Sequence, residues 1–172
     1  MKLLSAIGFL FLALPLMAPA AELKLGDKLP ALTLPDQDGK PFDISAYGSE
    51  GYLLVFFYPK ANTPGCTAQA CSLRDGETEL KNRGVKIIGI SADQPESQKK
   101  FATEQKLPYP LIADSEGKAI QAFGVEGMLG FARRSAFLFH HGKLVWRDAK
   151  SSTKDQAEVV LKALDTLSPA KK

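Results

Sequence analysis

Apolar residues in this chain fall into two kinds of run. Residues 52–58 (Tyr-Leu-Leu-Val-Phe-Phe-Tyr) and 85–91 (Val-Lys-Ile-Ile-Gly-Ile-Ser) are short and nearly unbroken. Such runs fit strands covered on both faces. Residues 31–34 alternate like a short strand, residues 35–39 (Pro-Asp-Gln-Asp-Gly) supply a turn, and residues 41–44 offer a partner strand. Other apolar positions repeat at helical spacing. Thr63 and Pro64 open a helix as cap and first helical residue, Cys66, Ala70, Leu73 and Leu80 share one face, and Gly84 closes it. Pro95 begins a helix running to Gln105, residues 111–113 form a third strand, and a helical piece spans 117–123. Residues 135–139 and 144–147 flank His140-His-Gly-Lys143, a hairpin signature. A last helix follows Ser152, with Ala157, Val160, Leu161, Leu164 and Leu167 as its stripe.

Strands alternate with helices, then a hairpin and a closing helix follow. This order predicts an α/β chain of thioredoxin-like layout. A central mixed sheet is flanked by helices and carries an N-terminal β-hairpin extension, with residues 21–30 as an arm leading in. No internal repeat or second-domain linker interrupts residues 21–172, which are expected to form a single domain.

The first residues read differently. Met1-Lys2 supplies positive charge, residues 3–17 are nearly all apolar, and Ala18-Pro19-Ala20 offers small residues for cleavage. This is the pattern of a secretory leader over residues 1–20, cut near Ala20. The run is short for a membrane span and holds Pro15, so no stable membrane contact is expected after cleavage. Localisation to the periplasm, or secretion, follows. The formal net charge of +3 is spread without a basic stripe, which gives nucleic-acid binding no support.

Two cysteines, Cys66 and Cys71, are all the chain has. In an exported protein such a pair is a staple or a redox couple. Cys66 falls in the first turn of a helix that follows a buried strand. There, unpaired N–H groups and the helix dipole favour a thiolate, the reactive form of cysteine. Gly65 lets backbone approach a small ligand closely. On an intact helix, residues five apart lie roughly 8.5 Å apart at Cα and point to different sides. A disulfide needs Cα atoms within about 7 Å, so a Cys66–Cys71 bond requires the first turns to unwind. A cycling pair uses that unwinding; a structural staple would oppose its own helix.

The string from Pro59 through Thr63 to Cys66 resembles the active-site signature of the peroxiredoxins. The longer stretch, residues 57–75, resembles their bacterioferritin comigratory protein (BCP) or PrxQ group. Residues 34–39, 89–93, 106–109 and 123–125 extend the likeness across most of residues 24–167. The resemblance implies a thiol peroxidase acting on hydrogen peroxide and organic hydroperoxides. Cys66 would be peroxidatic and Cys71 resolving, through an intramolecular disulfide recycled by a thioredoxin-like reductant. Thr63 would hydrogen-bond the sulfur or the peroxide, Pro59 would shield the pocket, and the Gly65 and Cys66 N–H groups would hold peroxide oxygens. The family's arginine matches Arg134 rather than Arg133, with Ala136 standing where relatives carry a hydroxyl residue. The segment between Val125 and Arg133 is short beside many relatives. A monomer suffices for this chemistry, and no metal or other cofactor is implied. His140 and His141 at the hairpin tip point in different directions and make a poor metal pair. Two other readings stand beside this one: an exported thiol-disulfide oxidoreductase or relay, and a non-catalytic module with a structural disulfide.

Overall fold

The computed structural model describes residues 21–167. The leader read over residues 1–20 lies outside them. The described residues begin as an arm laid along a later hairpin, where Gly26 and Leu29 donate their N–H groups to the carbonyls of Leu144 and Gly142, each at 2.8 Å. The first hairpin pairs β1 (Thr33–Pro35) with β2 (Pro41–Asp43). Its turn is closed by the Asp36 carboxylate, which accepts from the N–H groups of Asp38 and Lys40. A short helix not anticipated from the sequence, α1 (Ile44–Tyr47), follows at once. Asp43 caps it by accepting from the Ala46 N–H at 2.9 Å. The Ser45 hydroxyl, followed by that N–H, holds the Asp43 carboxyl below its ordinary range.

Strand β3 (Tyr52–Phe57) is the middle of the molecule, with Leu53, Leu54, Val55, Phe56 and Phe57 fully buried. It leads through a loop into α2 (Pro64–Asp75) and α3 (Glu77–Asn82). Next come β4 (Val85–Ser91), α4 (Pro95–Glu104), β5 (Leu111–Ala113) and α5 (Lys118–Ala122). The chain closes with β6 (Ser135–His140), β7 (Lys143–Asp148) and α6 (Gln156–Leu167). The sheet order is β5-β4-β3-β6-β7, with β3 parallel to β4 and antiparallel to β6. The mixed sheet expected from the sequence is therefore present. His141 and Gly142 both adopt positive φ, which makes the β6–β7 connection a two-residue primed turn.

Alternate residues of β3 serve two apolar layers. Leu54 and Phe56 pack with Leu73 and Leu80, Phe101, and Val160 and Leu164 on one face. Leu53, Val55 and Phe57 pack with Ile44, Ile120 and Phe123 on the other. Each fully buried side chain of this size contributes about 1.5–3 kcal/mol. Both faces are needed, which is why the run is apolar throughout.

Two helices differ from the pattern. The single helix expected to end at Gly84 is broken at Gly76 into α2 and α3. A Cβ on Gly76 would lie 2.5 Å from the Cβ of Ala157, so the break marks where α6 presses on α2. In α6 the buried stripe is Gln156, Ala157, Val160, Ala163 and Leu164, while Leu167 is exposed at the helix end. The stripe starts one residue earlier than the apolar residues alone indicate, because Gln156 is a core residue.

Gly76 has φ −91°, a value open to any residue, so its small size rather than its flexibility matters. Gly76→Ala is expected to destabilise the protein by about 1–3 kcal/mol through overpacking against Ala157. Urea unfolding followed by circular dichroism checks this, and an unchanged midpoint refutes it.

Candidate active site

The site is built where β3 stops. Pro59 cannot extend the ladder, and the chain turns through Asn62 at φ 59°. Asp93, just past β4, pins this loop by accepting from the Ala61 N–H at 2.8 Å. The same carboxylate oxygen accepts from the Ser91 hydroxyl at 2.8 Å. Thr63 then sits at the cap position with extended backbone and Pro64 is the first helical residue, as the sequence indicates. The Thr63 side chain, however, makes no cap bond. Its hydroxyl donates instead to the Lys60 carbonyl at 2.9 Å, a group left without a strand partner by the turn. The expected bond from Thr63 to a backbone N–H of the first turn is therefore corrected. The hydroxyl's one proton is spent, and its lone pairs stay free to accept.

Cys66 occupies the first turn of α2 and is 1% exposed. Helical bonding begins with the Thr67 N–H on the Thr63 carbonyl at 2.8 Å, so the N–H groups of Gly65 and Cys66 precede the ladder. Arg134 reaches this turn from the neighbouring strand. Ser135 of β6 pairs with Phe57 of β3, which places Arg134 beside the end of β3. Its Nη2 lies 3.4 Å from the Cys66 sulfur. Its Nη1 donates to the Gly65 carbonyl at 3.3 Å and to the Gln69 side-chain oxygen at 2.6 Å. A Cβ on Gly65 would stand 3.2 Å from Nη2, so glycine there makes room for the guanidinium. Arg133 is exposed and turned away, bonded to the Gly124 carbonyl at 2.8 Å. Ala136, at the position where a hydroxyl was expected by resemblance, is fully buried in the core.

Cys71 lies elsewhere. It is half-buried, and its thiol faces the Gln105 side-chain oxygen at 3.6 Å, at the end of α4. Both cysteines are free thiols, and α2 is unbroken between them. The structure thus brings together Cys66, Gly65 and Arg134, with Thr63 and the half-buried Pro59 on the adjoining loop. It sets Cys71 apart on a different side of the helix. Among the described residues, no three His, Cys, Asp or Glu side chains gather to hold a metal.

Several residues here were not picked out from the sequence. Gln69 is fully buried and holds Arg134. Tyr109 donates its hydroxyl to the Ala70 carbonyl at 2.8 Å, on the residue just before Cys71. Tyr58 donates to Gln98, which in turn bonds Ser91 and the Ile112 carbonyl. Burial pushes both tyrosine hydroxyls far above their usual range, so each stays a donor at any working pH. The signal for Gln69 was available: it is a polar residue three positions beyond Cys66, on the face that buries Ala70 and Leu73. The short segment after Val125 is closed by a bridge between Glu126 and Ala132, and it displays Met128, Leu129 and Phe131 to solvent. Lys60 lies 5.9 Å from the Phe131 ring.

The AhpC/TSA family model matches residues 25–147. The chain belongs to this family. Peroxiredoxin Bcp of Escherichia coli K12 is 46% identical over 109 residues, covering 63% of this chain and 69% of that protein. Among solved structures, peroxidoxin BcpB of Mycobacterium tuberculosis superposes with TM-score 0.77 at 36% identity, covering 88% of this chain and all of that one. The bacterioferritin comigratory protein of Xanthomonas campestris, described for alkyl peroxide reduction, gives TM-score 0.74 at 29% identity, with 82% and 99% covered. The fold is the thioredoxin-like fold of the peroxiredoxins, and the relatives place the chain in their BCP/PrxQ group.

The geometry separates the two adjacent arginines. Arg134→Met is expected to slow the reaction of Cys66 with peroxide by about 100-fold, the usual cost of removing one donor from a developing charge. Arg133→Met should stay within about twofold, as for a surface change. Stopped-flow kinetics on the reduced proteins measures both.

Proposed function

We propose that the chain is a thiol-specific peroxidase in which Cys66 is peroxidatic and Cys71 resolving. One observation carries this reading: a buried thiol in the first turn of a helix, with a guanidinium 3.4 Å from its sulfur. A surface charge would not be drawn to a buried sulfur, and a structural cysteine needs no arginine.

The steps follow from the groups present. The Cys66 thiolate attacks the terminal peroxide oxygen, a sulfur–oxygen bond forms and the oxygen–oxygen bond breaks. Water or an alcohol departs with a proton, leaving a sulfenic acid. The Gly65 and Cys66 N–H groups and Arg134 hold the oxygens while charge moves onto the leaving one. Thr63, its proton committed to Lys60, accepts from the peroxide O–H. Pro59 walls the loop side and limits water. The Cys71 sulfur then attacks the sulfenic sulfur, the disulfide forms and the hydroxyl leaves as water. A thioredoxin-like dithiol returns two electrons and two protons by exchange. The second step needs α2 to open, because the intact helix keeps the two sulfurs on different partners.

Substrates include organic hydroperoxides as well as hydrogen peroxide, in line with the alkyl peroxide activity of the Xanthomonas relative. The enzyme works as a monomer, since the resolving thiol is in the same chain. The apolar run of residues 3–17 and the small residues at 18–20 support export, with removal of the leader. The role is antioxidant defence in that compartment.

Peroxide consumption with a dithiol donor tests the reading. Cys66→Ser should be inactive. Cys71→Ser should consume about one equivalent, hold a sulfenic acid and lose turnover. Titration of wild-type thiols should fall from two to none after one equivalent of peroxide. Equal rates for wild type and Cys66→Ser would overturn the assignment. Fast exchange with disulfides but little reaction with peroxide would favour an oxidoreductase, and a pair already oxidised and inert to mild reductant a structural bridge.

A further inference from the structure

Arg134 is not held by the active-site loop alone. Its Nη1 donates to the Gln69 side-chain oxygen at 2.6 Å, and the Gln69 nitrogen donates to the Gln156 side-chain oxygen at 3.1 Å. Both glutamines are fully buried. Arginine has only donors, and this fixes the whole chain of bonds. Gln69 must present its oxygen to Arg134, so its nitrogen must face α6. The group that meets it there must be an acceptor, so Gln156 must present its oxygen. Its own nitrogen then points away and has no hydrogen-bond partner among the described residues.

That leftover N–H is informative. A buried donor without a partner costs more than one neutral hydrogen bond returns. Packing alone would be better served at this position by an apolar side chain of the same length. Something other than stability is gained by an acceptor on α6 aimed at Gln69. We propose that Gln156 is a positioning residue for Arg134, acting through Gln69. It rests on the peroxidase reading above and extends it to a helix that never touches the reacting atoms. Without the Gln156 oxygen, the Gln69 amide has a buried donor to satisfy and leaves its present orientation. Turned over, it would set its nitrogen against the Arg134 donor. The guanidinium then loses its shortest contact and swings from the Cys66 sulfur. Gln69 also lies between Cys66 and Cys71, on the stretch that must unwind. The relay is therefore made only while α2 is helical and breaks when the disulfide forms.

The test reads Cys66 without peroxide, in a Cys71→Ser background where it is the single thiol. Gln156→Met keeps the volume and removes the acceptor; it should slow iodoacetamide alkylation of Cys66 by about three- to tenfold, the size of one neutral hydrogen bond. Gln156→Glu keeps an oxygen toward Gln69 and should stay within about twofold of the parent on the same scale. Combined with Arg134→Met, Gln156→Met should have no further effect, as expected if one acts through the other. If Gln156→Met does not fold, Gln156→Asn, whose shorter amide falls short of Gln69, takes its place under the same criterion. Unchanged alkylation in the acceptor-less variant, equal impairment of Gln156→Glu, or additivity with Arg134→Met overturns the proposal. Because alkylation involves no peroxide, an inactive wild type would sink the peroxidase reading while leaving this result legible.

Discussion

A helix cannot carry a disulfide between residues five apart, because its geometry sets their Cα atoms roughly 8.5 Å from each other on different sides. Cys66 and Cys71 are five apart on α2. The proposed peroxidase cycle therefore needs two conformations of one helix. Folded α2 offers Cys66 to a peroxide; opened α2 offers the oxidised sulfur to Cys71. The sheet beneath need not move. Phe56 and Phe57 stay buried between the two layers, and Asp93, just past β4, keeps the loop after β3 in place.

Arg134 ties the chemistry to this choice. All three of its partners, the Gly65 carbonyl, the Cys66 sulfur and the Gln69 oxygen, belong to α2. They converge only while that segment is helical. A hydrogen bond to an ionised group is roughly twice as strong as one between neutral groups. When the thiolate becomes a sulfenic acid, the charge facing the guanidinium is gone and the tie weakens. In the proposed cycle, oxidation of Cys66 thus loosens the helix that must open next. The same contacts that favour attack on peroxide favour, once spent, the approach of Cys71.

Much of this was legible in the chain. The buried runs at 52–58 and 85–91, the Pro64 helix start and the His140–Lys143 hairpin are local patterns, and local patterns fix local structure. The junction that carries Cys66 follows from them. Arg134 came from likeness to a family, since nothing in its own neighbourhood says what it touches across the sheet. The β3–β6 register supplies that. The break at Gly76 and the burial of Gln156 were not readable, because each arises where α6 meets α2, far apart in sequence. Thr63 shows a subtler limit. Its cap position was plain, but a hydroxyl chooses among nearby acceptors, and the Lys60 carbonyl is set free only by the fold of the loop. Polar residues on otherwise apolar helix faces, Gln69 above all, were the signs left unread.

The contacts along α2 are unevenly placed, and this sets how far it opens. Toward its start, Arg134, the Gln69–Gln156 pair and the Tyr109 hydroxyl on the Ala70 carbonyl are hydrogen bonds, each exchangeable for water. Beyond Cys71 the helix is held differently. Leu73 is fully buried, the Ser72 hydroxyl accepts from the Ala157 N–H at 3.2 Å, Arg74 donates to the Gln105 carbonyl at 2.8 Å, and Gly76 sits against Ala157. Freeing that end would expose apolar surface as well as break bonds, and exposing one Leu costs about 1.5–3 kcal/mol. Unwinding up to Cys71 exposes only the small buried side chains of Cys66 and Ala70 and the Gln69 amide, and so costs less than unwinding past it, where Leu73 is buried. The proposed resolving cysteine, Cys71, sits at that boundary, as near to Cys66 as the helix can release it without freeing Leu73 from the core.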